Sequence, residues 1–308
     1  MPMCELEQAI GRYLDELARE GSSPHSLKAY AGDLRQFVEF LSPPETAPPA
    51  PAEIDLLTLR EWMVWLYRRH LSAVSIRRKL AAVRGLFRFL HREGVVEANL
   101  ARLVRTPKAP QKLPAVPTPE TTNDLLNAVA ADKLERPFPA RDRAIFEVLY
   151  GCGVRVSELA GVNLEDIDRE KHWMLVRGKG RKERQVPLPR QAAEAVERYL
   201  GERPVARDQK AVFLNHRSER LTTRGIYGIV KLYATHLGQD PSLHPHSFRH
   251  AYATHLLADG ADLRAIQELL GHARLSTTQK YTQVALTDLM AVYDRAHPKA
   301  RAKRDPKI

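Results

Sequence analysis

Histidine, arginine and tyrosine recur at short spacing near the end of the sequence. His246 and Arg249 follow Pro245, a residue type that favours the first turn of a helix, and their separation of three places both on one helix face. His272 lies 23 residues after Arg249, and Tyr281 lies nine residues after His272. A single residue of these types is more often structural than catalytic. As a set they offer an oxygen nucleophile, a base and cationic hydrogen-bond donors, which suits attack on an anionic ester.

A further arginine follows a glycine-containing turn upstream. In YGCGVRVSEL, Gly151 and Gly153 precede Arg155, and glycine lets the backbone turn sharply. Glu158, three residues on, can orient the guanidinium group of Arg155 through a charge-assisted hydrogen bond. The plainer interpretation is a turn that ends a helix and leaves an exposed arginine.

These groups match the demands of phosphodiester cleavage. An oxygen nucleophile adds negative charge to the phosphate, and preorganised positive donors stabilise that charge. Arg155 and Arg249 can each offer two parallel N–H groups to non-bridging oxygens, and His272 can donate a further hydrogen bond. Tyr281 must lose its proton as it attacks, and His246 is the side chain best tuned to accept it near neutral pH.

A charged hairpin can supply the proton that the leaving oxygen needs. Two β-prone runs, 173–176 and 184–188, flank a glycine-containing turn at 178–182. The sequence therefore predicts a β-hairpin with a basic tip. Spacing alone does not choose among the basic residues of this tip, which are Lys179, Arg181 and Lys182.

Two proline-rich stretches divide the sequence. Residues 42–53 separate two helical segments, and residues 106–120 contain a domain boundary, because proline favours an extended linker. A chain of 308 residues fits two domains of ordinary size. We predict an N-terminal domain at 1–106, a linker at 107–118 and a C-terminal domain at 119–308. Helical patterns occur in both domains, and those of the C-terminal domain predict helices at 119–131, 140–150, 157–160 and 190–200. The fold class is therefore mainly α with one small β-hairpin or sheet.

A long basic stretch lies in the N-terminal domain. Residues 62–92 contain eight Lys or Arg and no Asp or Glu, while apolar residues at four-three spacing form a stripe along one side. One face of this helix should pack on a core and the other should be positive. A solvated basic face is the alternative, but an acid-free run of this length favours contact with DNA phosphates. The candidate DNA-binding residues are Arg77, Arg78, Lys79, Arg84 and Arg88 in this stretch, together with Arg181 and Lys182 of the hairpin.

The overall charge also favours a polyanionic partner. Lys and Arg number 48 against 37 Asp and Glu, a net charge of +11, which favours nucleic acid over an anionic membrane surface. No run approaches the roughly 18 apolar residues of a membrane-spanning helix, and the first ten residues lack a signal-peptide pattern, so we expect a cytoplasmic protein. Cys4 and Cys152 are too few for a disulfide framework or a cysteine-built zinc site.

The sequence predicts no metal and no other cofactor. His246, His250 and His255 on one helix suggest zinc at first sight, but they lack the H-E-x-x-H arrangement. The spacing of His246 and Arg249 is better suited to phosphate. No G-x-x-x-x-G-K-[ST] phosphate loop occurs. A covalent phosphotyrosyl intermediate would conserve the energy of the broken bond, so ATP is unnecessary.

These motifs, in their order along the chain, resemble those of the tyrosine recombinase, or phage-integrase, family and most closely its Xer group. They are the arginine after the glycine turn, the hairpin lysine, the H-x-x-R pair, the G-H and the Y-T. The resemblance covers nearly the whole chain. It implies a SAM-like, DNA-binding N-terminal domain and a catalytic C-terminal domain that cleaves through a 3′-phosphotyrosyl intermediate. It selects Lys179 as the residue that protonates the leaving 5′ oxygen. The segment 292–300 is similar to the end of Xer proteins, except that Lys299 stands where arginine is usual.

The same resemblance implies partners and a process. The partners are double-stranded DNA with inverted-repeat half-sites, a tetramer on two DNA sites, a second Xer-type recombinase and a DNA translocase. The implied process is the resolution of chromosome dimers at chromosome segregation and cell division. Apolar spacing after Tyr281 predicts a helix at 284–296. We expect this helix to dock on a neighbouring protomer, and packing in cis on its own domain is the alternative.

Three other functions share part of this pattern. A phage or transposon integrase has the same chemistry. A type IB topoisomerase shares the pocket, but it has no need of a helix after the nucleophile. A non-enzymatic DNA-binding protein would keep the basic surfaces, but the complete set of pocket residues argues against it.

Overall fold

The chain folds into two units, Met1–Lys112 and Leu113–Ile308. The computed structural model describes residues 4–43, 46–108, 116–178, 182–205, 210–237, 240–271 and 296. Within these ranges, no helix is long and apolar enough to cross a membrane.

Side-chain caps set the starts of the helices in the first unit. Ser23, Asp55 and Ser72 each accept a hydrogen bond from a backbone N–H in the first turn of the helix that follows. Such caps satisfy donors that the start of a helix leaves without a partner. The helices of this unit, in the ranges given above, are α1 (Glu5–Arg19), α2 (Pro24–Leu41), α3 (Leu56–Arg68) and α4 (Ala73–Arg92).

Apolar side chains from these four helices meet in one core. Leu6, Phe37, Trp62 and Phe87 are at most 1% exposed, and the rings of Phe37 and Trp62 meet edge to face with centroids 4.9 Å apart. The apolar stripe predicted on α4 is buried in this core, and it consists of Ile76, Leu80, Val83, Phe87 and Leu90.

Helices also dominate the second unit. Those predicted at 119–131, 140–150, 157–160 and 190–200 are confirmed, with ends that differ by a residue or two. The helices in the described part of this unit are α5 (Pro119–Ala130), α6 (Pro139–Cys152), α7 (Val156–Gly161), α8 (Arg190–Glu202), α9 (Thr223–His236), α10 (Pro245–Ala258) and α11 (Leu263–Leu270).

A small antiparallel sheet interrupts the helices between α7 and α8. Its strands are β1 (Ile167–Asp168), β2 (Trp173–Arg177) and β3 (Glu183–Pro187), in that spatial order. β2 pairs with β3 so that Arg177 lies opposite Glu183, which confirms the predicted hairpin. β1 was not predicted, because a strand of two residues shows no alternation of apolar and polar positions.

Helix α6 lies at the centre of the second core. From Ala140 to Cys152 its residues are buried, with the exception of Arg143. The Phe146 ring meets the rings of Tyr233 on α9 and Phe248 on α10 edge to face, with centroids 5.3 Å and 5.5 Å away. These contacts hold α10, the helix that carries His246 and Arg249, against the core.

The C-terminal helix predicted at 284–296 lies outside the described residues except for Ala296. Ala296 is buried in a cluster with Leu256 of α10 and with Ile266 and Leu270 of α11. This contact favours the cis alternative at that one residue of the single chain.

Candidate active site and DNA-contacting residues

A left-handed turn at Gly153 positions the first arginine. α6 ends at Cys152, and Gly153 adopts φ 59° and ψ 25°. A Cβ atom at this position would lie 2.5 Å from a ring carbon of Tyr252. Both the dihedral angle and the close approach of the ring therefore require glycine. The chain then extends into Arg155, which directly precedes α7.

Glu158 holds Arg155 through two hydrogen bonds. The backbone N–H of Arg155 donates to Glu158 Oε2 at 2.7 Å, and Arg155 Nη1 donates to Glu158 Oε1 at 2.7 Å. The Arg155 side chain is 40% exposed, whereas the Glu158 side chain is fully buried. The guanidinium group is thus fixed on its protein side and accessible to a phosphate on its other side.

A second arginine binds the same carboxylate, and the sequence interpretation missed it. Arg184 on β3 donates from Nη1 to Glu158 Oε1 at 2.6 Å and from Nη2 to Oε2 at 3.0 Å. Burial alone would raise the pKa of Glu158, but the hydrogen bonds and charges of Arg184 and Arg155 outweigh burial and lower that pKa below its usual value. Glu158 is therefore ionised at neutral pH.

The sequence did carry a signal for Arg184. Along β3, Arg184 and Val186 occupy the buried positions and Glu183 and Gln185 the exposed ones. A charged residue in phase with buried apolar residues of a strand needs a partner inside the protein.

Arg249 is anchored by two backbone carbonyls. Its Nη1 donates to the Gly153 carbonyl at 2.6 Å, and its Nη2 donates to the Leu270 carbonyl at 2.5 Å. Burial, with the positive charge of Arg155 as the next cause, lowers the pKa of Arg249 to about 10. The group is still protonated at neutral pH. Because Gly153 lies two residues before Arg155, one turn of the backbone serves both arginines.

His246 lies in the first turn of α10, three residues before Arg249. His244 caps this helix, and the Ser247 N–H donates to His244 Nδ1 at 3.1 Å. The rings of His246 and His250 have centroids 4.5 Å apart. Desolvation, followed by the charges of His250 and Arg249, lowers the pKa of His246 below its usual value. The neutral imidazole is the form that can accept a proton.

Some of the predicted site residues fall outside the described ranges. The described ones, Arg155, Glu158, His246 and Arg249, come together around the Gly153 turn. Lys182 is described and exposed at the base of the hairpin tip, where its carbonyl accepts a hydrogen bond from the Gly178 N–H at 2.8 Å. The predicted residues outside the described ranges are Lys179, Arg181, His272 and Tyr281.

The described cluster is suited to an anion rather than to a metal. Arg155 and Arg249 raise each other's electrostatic free energy, and a phosphate bound between them would relieve that repulsion. Among the described residues, no group of three or more His, Cys, Asp or Glu could hold a metal ion. His255, weighed above as a zinc ligand, contacts the Pro117 carbonyl through Nε2 and the Tyr150 hydroxyl through Nδ1, each at 3.0 Å.

Lys79 does not face solvent, so the prediction that it contacts DNA needs correction. Lys79 is 5% exposed, and its Nζ donates to Asp33 Oδ1 at 2.8 Å and to Gln36 Oε1 at 2.6 Å. Arg78 pairs with the other oxygen of Asp33 and keeps a side chain 45% exposed. Lys79 is thus a structural ion-pair partner between α2 and α4.

Arg84 binds the backbone of its own unit, which also does not fit its predicted role. Its Nε donates to the Ala101 carbonyl at 3.0 Å and its Nη2 to the Val104 carbonyl at 2.5 Å. Its Nη1 donates to Thr106 Oγ1 at 2.9 Å. These bonds tie the chain that follows α4 back to that helix. Arg77 and Arg88 are exposed on α4, and their contact with DNA stays a prediction.

Comparison with known families gives the class of protein. Residues 117–287 match the phage integrase family, and residues 10–94 match the phage integrase N-terminal SAM-like domain. The chain belongs to the phage integrase family, and it is a tyrosine recombinase, an enzyme that breaks and rejoins DNA.

Close relatives narrow this class. The tyrosine recombinase XerC of Syntrophus aciditrophicus is 42% identical over 312 residues, which cover 97% of this chain and 99% of the relative. The tyrosine recombinase XerC of Pelobacter propionicus is 44% identical over 301 residues, which cover 97% of each chain. The chain is therefore a XerC-like tyrosine recombinase, as its resemblance to the Xer group predicted.

Solved structures share the fold. The Tn1549 transposon integrase in complex with a circular intermediate DNA matches with a TM-score of 0.70 at 18% identity, over 92% of this chain and 98% of that chain. The XerH site-specific recombinase bound to its difH substrate matches with a TM-score of 0.67 at 22% identity, over 94% and 95%. The predicted fold class, a helical SAM-like domain and a mostly helical domain with a small sheet, is confirmed.

Proposed function

We propose that this protein cuts and rejoins DNA at specific sites and that Tyr281 is the nucleophile. His246 takes the proton of the Tyr281 hydroxyl as the oxygen attacks phosphorus, and the bond from phosphorus to the 5′ oxygen breaks. Lys179 gives a proton to that oxygen, which leaves as a hydroxyl group. The product is a 3′-phosphotyrosyl bond, and the reverse steps rejoin a strand without a cofactor.

The observation that carries the proposal is the turn at Gly153, which serves two arginines. Its carbonyl accepts from Arg249, and the residues after it lead into Arg155. Two guanidinium groups fixed before the substrate arrives can clamp the non-bridging oxygens with little reorganisation. His272 donates a further hydrogen bond to the same phosphate in this proposal.

The roles of Lys179, His272 and Tyr281 rest on the family. All three fall within residues 117–287, the range of the match, and their order and spacing carry the resemblance. Lys179 lies between β2 and β3, which form a hairpin. A lysine in a hairpin tip can reach a strand of DNA in a groove and protonate the 5′ oxygen.

The described exposed basic residues supply the DNA-binding surface in this proposal. Arg77, Arg78 and Arg88 are exposed on α4, and Lys182 is exposed at the start of the chain that leads into β3. Arg181 at the tip is assigned to the same role from the sequence. Contacts of this kind bind phosphates irrespective of sequence and hold the duplex in register.

The XerC relatives support a proposal for the process. We assign to this protein the resolution of chromosome dimers at segregation, in the cytoplasm where chromosomal DNA lies. In that process a tetramer would act on two sites with inverted-repeat half-sites, beside a second Xer-type recombinase and with a DNA translocase as activator. The support is the name and near-complete coverage of the relatives.

A nicked duplex that traps the intermediate tests the proposed function. When a nick lies just downstream of the scissile phosphate, cleavage releases a short fragment that carries the free 5′ hydroxyl. This fragment diffuses away, and the protein stays joined to the 3′ phosphate. The substrate is a bound genomic fragment selected with the protein itself. Wild-type protein should give an adduct stable in detergent, and Tyr281→Phe should give none while it binds with equal affinity. An adduct with Tyr281→Phe would mean that another residue is the nucleophile.

A further inference from the structure

Arg184 stands out among the buried charged residues of the second unit. Its side chain is 9% exposed and lies on β3, five residues after Lys179 in the sequence. Besides the two bonds to Glu158, its Nε donates to the carbonyl of Leu269 at 3.3 Å. A guanidinium group with these three bonds is locked at its Nε and at both terminal nitrogens.

Its three contacts connect three separate elements of the site. Arg184 belongs to the hairpin, Glu158 belongs to α7 behind Arg155, and Leu269 lies in the last turn of α11. Gly271 ends α11 with φ 65°, and a Cβ atom there would lie 2.8 Å from Arg184 Cδ. His272 is the next residue in the chain. Arg184 therefore connects β3, α7 and the end of α11, and each of these elements lies within a few residues of a proposed catalytic residue in the sequence.

The Glu158 carboxylate is shared in a symmetrical way. Oε1 accepts from Arg155 Nη1 and from Arg184 Nη1, and Oε2 accepts from the Arg155 backbone N–H and from Arg184 Nη2. Half of these bonds disappear without Arg184. The carboxylate would then be free to change rotamer, and the Arg155 guanidinium group would move with it.

We propose that Arg184 is a positioning residue for strand cleavage, which sets Arg155 through Glu158 and ties the hairpin to the end of α11. The proposal rests on the proposed function, in which Arg155 binds the scissile phosphate. Arg184 itself is a poor candidate for a phosphate ligand, because its Nε and both of its terminal nitrogens already donate to Leu269 and Glu158.

The chain offers a matched control in Arg141. It is 5% exposed, it donates from Nε and Nη2 to Asp142 Oδ1 at 2.9 Å and 2.7 Å, and its Nη1 donates to the Leu214 carbonyl at 3.0 Å. Asp142 also pairs with Arg136, as Glu158 pairs with Arg155. Arg141→Met thus removes an equally buried arginine with the same kinds of bonds, but none of those bonds reaches a proposed catalytic residue.

The first arm of the experiment compares Arg184→Met, Arg184→Lys and Arg141→Met in the full-length protein. Thermal unfolding, affinity for the nicked duplex and the single-turnover rate of adduct formation are measured below the lowest unfolding temperature. Both methionine variants should lose thermal stability and keep DNA affinity. Only Arg184→Met should slow adduct formation, by about 100-fold, the effect expected when a catalytic group is displaced by roughly 1 Å. Arg184→Lys should be more stable than Arg184→Met, because it still neutralises Glu158, yet remain slow, because an ammonium group cannot form the fork.

The second arm asks whether the defect acts through the phosphate charge. A duplex with a methylphosphonate at the scissile position lacks the negative non-bridging oxygen that Arg155 would stabilise. The rate defect of Arg184→Met, relative to wild type, should shrink on this substrate as the defect of Arg155→Met does. A defect of folding alone would be the same on both substrates.

The outcomes separate the inference from the function on which it rests. Wild-type protein without an adduct would refute the proposed function. With a wild-type adduct, equal rates for Arg184→Met and Arg141→Met, or an Arg184→Met defect that is unchanged on the methylphosphonate, would refute the role of Arg184 alone. If Arg184→Met does not fold, Arg184→Lys decides: a rate near that of wild type overturns the proposal, and a slow rate that recovers on the neutral linkage supports it.

Discussion

The chain uses positive charge in two different ways in its two units. In the second unit, Arg184 and Arg249 are buried and bonded to a carboxylate and to backbone carbonyls. In the first unit, Arg77 and Arg88 are exposed on the solvent face of α4. Fixed donors suit a transition state because they need no reorganisation, whereas exposed arginines suit the DNA backbone, where any phosphate serves.

Two basic residues of the first unit are exceptions, because their side chains are bonded within the protein and do not face solvent freely. Lys79 and Arg84 belong to the same acid-free run as Arg77 and Arg88, yet their side chains bind Asp33 and backbone carbonyls. A count of charges along a helix therefore overstates its DNA-binding surface.

The largest effect on stability is expected at Lys79. Lys79→Met leaves the buried Asp33 with Arg78 as its remaining ion-pair partner in the described residues, and breaking a buried pair typically costs about 3 kcal/mol or more. Urea unfolding should show this loss, whereas Arg77→Met, an exposed position on the same helix, should leave the midpoint nearly unchanged. Equal midpoints for the two variants would contradict the structural role of Lys79.

The turn at Gly153 should be the next most sensitive position. Gly153→Ala imposes a left-handed conformation that costs about 1–2 kcal/mol, and its Cβ meets the Tyr252 ring. Because the Gly153 carbonyl anchors Arg249, adduct formation should also fall. The control is Gly161→Ala, where nothing lies within 4 Å of the added Cβ. A Gly153→Ala protein with wild-type stability and a wild-type rate of cleavage would show that the turn does not determine the position of Arg249.

The exposed arginines should affect the salt dependence of binding. Each phosphate contact contributes about 0.9 to the slope of log K against log salt, so Arg77→Gln with Arg88→Gln should lower the slope by about 2. Arg84→Gln, whose wild-type guanidinium is bound to its own backbone, should leave the slope unchanged. Fluorescence anisotropy over a range of salt concentrations measures both. A change of slope in Arg84→Gln but not in the double variant would reverse the assignment.

The smallest effect concerns pH. The pKa of His246 is lowered, first by desolvation, so the neutral base persists as pH falls through 6.5, its unperturbed value. The rate of adduct formation, measured with subsaturating protein, should therefore decline by less than about twofold between pH 7.5 and 6.5. It should fall steeply only below the lowered pKa of His246. A steep loss that begins above pH 7 would contradict a lowered pKa, and an acid limb that survives in His246→Gln would assign the base elsewhere.

The sequence predicted what depends on local patterns. The runs on either side of residues 178–182 form a hairpin, as predicted, because two β-prone segments flank a glycine-containing turn. The contact of Arg155 with Glu158 was predictable because it spans three residues. The cationic cluster near Gly153 followed from the resemblance rather than from spacing, since Arg155 and Arg249 are far apart in the chain.

Contacts between distant elements could not be predicted in this way. The bond from Arg184 to Leu269 joins residues 85 apart, and nothing local specifies it. Lys79 is an intermediate case: it lies three residues after Ile76 and four before Val83, both in the buried stripe. That spacing places the aliphatic part of the Lys79 side chain beside the core, so its burial could be predicted from helix geometry. Its ion-pair partner, Asp33 on α2, could not be predicted in this way.

The division between fixed and exposed arginines is tested most directly by measuring binding and cleavage on one nicked duplex. Arg249→Gln should bind nearly as well as wild type but form adduct at least about 100-fold more slowly at saturating protein, as expected for the loss of a preorganised donor. Arg77→Gln with Arg88→Gln should bind weakly and, once saturated, cleave at the wild-type rate. Wild-type cleavage by saturated Arg249→Gln, or slow cleavage by the saturated double variant, would contradict the account.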